Sequence, residues 1–69
     1  MEKETFGEKI KRLREAKGLT KQELADKAGL TGANIRIIER GLMKTRVRAD
    51  TIGKLAAALD VEYDELEEQ

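Results

Sequence analysis

The sequence predicts an all-α fold of five short helices in one small domain. Three observations lead there. Apolar residues recur at three- and four-residue spacing, as in Ile52, Leu55, Ala56 and Leu59, which lines one face of a helix with 3.6 residues per turn. Thr5 with Glu8 and Thr20 with Glu23 fit the capping box that opens a helix. Gly18, Gly29 and Gly41 stand where these stretches should end. No strand alternation, internal repeat or linker competes, and 69 residues leave room for one domain.

The first helix is expected over about 6–17, after Thr5, with Phe6, Ile10 and Leu13 as its inner stripe. The second covers about 21–28, with Leu24, Ala25 and Ala28 facing inward and Ala25 small enough for a close helix crossing. Thr31, an N-cap type, opens the third over about 32–40, with Ile35 and Ile38 inward. A loop of roughly eight residues, 42–49, follows. Asp50 is the expected cap of a fourth helix reaching Leu59, and a short fifth lies near 62–67. The expected core is Phe6, Ile10, Leu13, Ala16, Leu19, Leu24, Ala25, Ala28, Leu30, Ile35, Ile38, Ile52, Leu55, Ala56, Leu59, Val61 and Leu66.

Lys21 to Arg40 is the most informative stretch. Two helical patterns meet at Gly29, a residue able to take the positive φ of a sharp turn. Helices joined this way form a helix-turn-helix, a unit that sets its second helix into the major groove of DNA. A helix over 32–40 is on the order of 13 Å long, matched to a groove about 12 Å wide. At about 100° per residue, Ala33, Arg36, Ile37 and Arg40 fall opposite the buried isoleucines, with Gly32 and Asn34 at the flanks.

Composition excludes other chemistries. The chain has no Cys, His, Ser, Pro or Trp, so the common zinc and iron–sulfur ligand sets and nucleophile–base arrangements are missing. No metal, cofactor or small-molecule ligand is expected, and no enzymatic activity. No apolar run is long enough for a membrane span or signal peptide, and a cytoplasmic location is expected. The net charge of zero conceals an asymmetry. Residues 1–48 carry 13 Lys and Arg against 7 acids, while 49–69 carry one Lys against 7 acids. The excess of +6 lies on the part holding the helix-turn-helix, as a phosphate-binding surface requires.

Three segments, FGEKIKRLREAKGLT, KQELADKAGLTGANIRIIERG and TIGKLAAALDVEYDEL, occur in order at near-family spacing. Together they resemble the lambda-repressor-like, Cro/CI-type (XRE) helix-turn-helix family from Phe6 to about Leu66. The resemblance implies a compact five-helix DNA-binding domain. It assigns Gly32, Ala33, Asn34, Arg36 and Ile37 to base contacts. It assigns Lys21, Arg36, Arg40, Lys44, Arg46 and Arg48 to phosphate contacts. It pairs Arg14 with Glu39 as a structural ion pair linking the first helix to the third. The chain departs from the family at Gly32 and Ala33, where polar side chains are common, and in a loop that lacks the usual proline and is about two residues longer.

The expected function is that of a sequence-specific, double-stranded-DNA-binding transcriptional regulator, a repressor acting as a homodimer through helices four and five. The alternative is a protein-interaction module of antitoxin or anti-repressor type. It would use an apolar patch of Ala33 and Ile37 extended by Leu42 and Met43.

Overall fold

A computed structural model describes residues 4–42 and 47–67. They form five helices: α1 (Phe6–Ala16), α2 (Lys21–Ala28), α3 (Gly32–Glu39), α4 (Ala49–Leu59) and α5 (Tyr63–Glu67). No strand occurs among the described residues.

Local chemistry explains where the helices begin. Thr5 and Thr20 each accept from the N–H three residues on, while Glu8 and Glu23 accept from the threonine N–H. These reciprocal bonds satisfy amides that a first helical turn leaves open. Thr31 caps α3 by accepting from the N–H of Asn34 at 3.1 Å.

The first four helices end in one way. The residue at the turn takes a left-handed conformation, namely Gly18, Gly29, Gly41 and Asp60. The next N–H then reaches back five residues: Leu19 to Arg14, Leu30 to Ala25, Leu42 to Ile37 and Val61 to Ala56. This is the Schellman closure, which ordinarily folds an apolar residue back onto its helix. Leu19, Leu30 and Val61 pack against the core. Leu42 is 60% exposed.

α2 packs on α3 and α4, α1 packs on α3 and α5, and α4 packs on α5. Ile10, Leu24, Ala25, Ala28, Ile35, Ile38, Ile52, Leu55, Ala56, Leu59 and Leu66 are buried between them. Phe6, Leu13, Leu19, Leu30 and Val61 are partly buried around this core.

Five sequence expectations need correction. Ala16 is exposed. The buried face of α1 is Gly7, Ile10 and Arg14, and Ala16 lies roughly 150° around the helix from its centre. Helix one stops at Ala16 with Lys17 as its C-cap, and helix three stops at Glu39 with Arg40 as its C-cap. Asp50 does not cap α4. The helix starts at Ala49 after Arg48, without a side-chain cap, because Ala49 favours the helical conformation. Asp50 instead sits in the first turn, where a negative charge complements the helix dipole. Glu62 precedes α5, its carbonyl accepting from the N–H of Glu65 at 3.0 Å.

Candidate nucleic-acid interface

The turn between α2 and α3 sets their geometry. Gly29 stands at φ 71°, and Thr31 returns to an extended conformation before α3 begins. Burial of Ile35 and Ile38 then fixes the rotation of α3 about its own axis, since turning those side chains into water would cost about 1.5–3 kcal/mol each.

Ala33, Asn34, Arg36, Ile37 and Arg40 are consequently exposed, while Gly32 is half-buried. Lys21 is exposed at the first position of α2, and Arg48 is exposed just before α4. α3 therefore brings together every base-contact candidate and the two phosphate candidates Arg36 and Arg40. Arg48 belongs to a different segment, and its Nε lies 3.3 Å from Asp50 Oδ1. The phosphate candidates Lys44 and Arg46, and Met43 of the apolar patch, lie outside the described residues.

The base of α3 is held by a bidentate ion pair. Arg14 donates from Nε to Glu39 Oε2 at 2.7 Å and from Nη2 to Glu39 Oε1 at 3.1 Å. Its Nη1 also donates to the carbonyl of Leu19 at 2.8 Å. One guanidinium thus joins α1, the turn before α2 and the last residue of α3. The side chains are 9% and 2% exposed. The bond to Glu39 holds the guanidinium even further from deprotonation than usual. Fork-to-fork geometry specifies orientation as well as attraction, so the pair fixes the direction of α3.

Gln22 was not among the sequence candidates. It is exposed on α2, yet a Cβ built at Gly32 would fall 2.8 Å from its Oε1. The missing side chain at position 32, at the start of α3, was the only sequence signal that pointed to it.

A concave region opens at the C-terminal end of α3, with a volume of about 740 Å³. Phe6, Ile38, Val47, Ile52 and Tyr63 line it, beside Glu8 and Glu39. Both of those carboxylates have structural partners, Glu8 in the α1 cap and Glu39 on Arg14. Among the described residues no group of His, Cys, Asp and Glu could hold a metal ion. No helix there is long and apolar enough to cross a membrane.

The helix-turn-helix family matches residues 10–66, most of the chain. This chain belongs to that family. It is 43% identical to the HTH-type transcriptional repressor RghR of Bacillus subtilis over 91% of its own length and 46% of that protein's. The chain spans less than half the length of the curated relatives it matches. Among solved structures it is similar to the restriction-modification controller protein C.AhdI of Aeromonas hydrophila, at 43% identity and a TM-score of 0.80, covering 88% of this chain and 86% of that one. It is also similar to SinR of Bacillus subtilis, solved in complex with DNA. That match has 34% identity and a TM-score of 0.82, covering 93% of this chain and all of that one. These relatives are regulators, not enzymes.

Proposed function

We propose that this chain is the DNA-binding part of a transcriptional repressor, with α3 seated in the major groove of double-stranded DNA. The observation that carries this reading is the outer face of α3. Arg36 and Arg40 are exposed there, on a helix whose inner side is buried and whose end is clamped by Arg14 and Glu39. The likeness to SinR, which was solved on DNA, supports it, as does RghR, a named repressor.

Gly32, Ala33, Asn34, Arg36 and Ile37 face the bases in this arrangement. Asn34 and Arg36 supply hydrogen bonds, and Ala33 and Ile37 pack on thymine methyls. Lys21, Arg36, Arg40, Lys44, Arg46 and Arg48 neutralise phosphates and supply most of the affinity. Two copies pair through α4 and α5, placing two α3 helices roughly 34 Å apart on one side of the duplex. The protein acts where DNA is, in the cytoplasm, and needs no cofactor.

The test is a binding titration on duplex DNA at several salt concentrations. Affinity falls by orders of magnitude from low to moderate salt if four to six cations per subunit meet phosphates. Arg36→Ala with Arg40→Ala weakens binding without lowering the melting temperature. Salt-independent binding, or full binding by the double variant, excludes the reading.

A second reading has one observation in its favour. Ile37 and Leu42 are the exposed large hydrophobic residues among those described, and the Leu42 N–H donates to the Ile37 carbonyl. Two exposed apolar side chains near the end of α3 suit a protein partner. Ile37→Glu breaking a protein complex, while the arginine double variant keeps DNA binding intact, would favour this reading.

A further inference from the structure

α3 begins with two residues that offer a base no side-chain hydrogen bond, Gly32 and Ala33. α2 supplies a polar group at the same place. Gln22 lies against Gly32, its Oε1 2.8 Å from where a Cβ would stand. Its Nε2 donates to Asp26 Oδ1 at 2.9 Å, one turn along α2. That bond fixes the amide plane and leaves one N–H and the oxygen for another partner.

Position matters as much as chemistry. Gly32 and Arg36 are four residues apart and share one edge of α3. Gln22 therefore lies beside the edge of α3 that carries Arg36 one turn further on. Any larger residue at position 32 would push the amide away.

We propose that Gln22 is a base-reading residue that replaces a side chain at position 32, with adenine as its preferred base. The proposal rests on the DNA-binding reading above. A carboxamide presents a donor and an acceptor side by side, matching adenine N7 and N6 in the major groove. Gln22 is uncharged and so contributes sequence preference without counterion release.

The experiment enriches a random duplex pool with the wild-type chain, Gln22→Ala and Gly32→Ala. The wild type is expected to enrich adenine at one position of each half-site. Gln22→Ala loses that preference and keeps the others. Its affinity for the enriched site falls on the order of tenfold. Its affinity for scrambled duplex and its salt slope stay unchanged. Gly32→Ala gives the same loss by displacing the amide, and the double variant adds nothing further. An unchanged sequence preference in Gln22→Ala overturns the proposal and leaves DNA binding standing. So does an equal weakening on every sequence, which marks a phosphate contact. A wild-type chain that binds no duplex overturns the DNA-binding reading as well.

Discussion

Gly7 of α1 lies directly against the carbonyl of Ile38 in α3. A Cβ at Gly7 would collide with that oxygen and come within 2.8 Å of the Glu39 carbonyl. Two backbones touch here with no side chain between them, at the end of the helix that faces outward. The contact and the Arg14–Glu39 pair hold the same two helices, so both set the angle of α3.

Gly7→Ala should therefore destabilise the fold. Glycine to alanine inside a helix ordinarily adds about 0.5–1 kcal/mol of stability. Here overpacking against fixed backbone should reverse the sign and cost about 1–3 kcal/mol. Thermal unfolding followed by circular dichroism should show a drop on the order of 10 °C. An unchanged or raised midpoint would mean that α3 can shift freely away from α1.

The buried ion pair should show the asymmetry of such pairs. Glu39→Leu leaves the Arg14 guanidinium buried without its carboxylate and should cost about 3–5 kcal/mol. Arg14→Met combined with Glu39→Leu removes both charges and should recover most of that loss. Urea unfolding of the two single variants and the double variant measures the coupling. Strictly additive losses would mean that the two side chains act independently.

Asp60 ends α4 at φ 60°, the single positive-φ residue other than glycine among those described. Its carboxylate is 90% exposed and lies 3.9 Å from Lys17, a contact of little energetic weight. Asp60→Gly should therefore stabilise the domain by about 0.5 kcal/mol, the relief of backbone strain exceeding the added unfolded-chain entropy. Chemical unfolding measures it, and a clear loss of stability would show that the carboxylate has a role of its own.

Acid should loosen the N-terminal edge. Arg12 donates to both oxygens of Glu4, at 2.7 and 3.0 Å, and these bonds hold the Glu4 carboxyl below its ordinary value of 4.5. A carboxyl lowered by folding contributes stability above its unfolded pKa and loses it as pH falls through the folded one. The effect is small because the pair is exposed. A carbon-detected NMR titration should place the Glu4 midpoint below that of Glu4 in Arg12→Ala. Equal midpoints would show that the two side chains do not stay together in solution.

Helix content was legible in the sequence because it depends on neighbours close in the chain. Thr5, Thr20 and Thr31 mark three starts by bonds spanning three residues, and Gly18, Gly29 and Gly41 mark three ends by backbone freedom. The spacing of Ile35 and Ile38 likewise determined which side of α3 faces water. The start of α4 was misread because Asp50 suits a cap and a first turn alike, and Ala49 before it already takes the helical conformation. Ala16 was misplaced because the inner face of α1 is centred on Gly7, Ile10 and Arg14, two of which are not apolar side chains. Tertiary structure alone decided that Gly7 meets the Ile38 carbonyl, that Leu42 stays exposed while its counterparts at other helix ends pack inward, and that Gln22 covers Gly32. Each of these depends on where one helix crosses or leaves another, and crossing distances arise from packing the whole core, which no local spacing encodes.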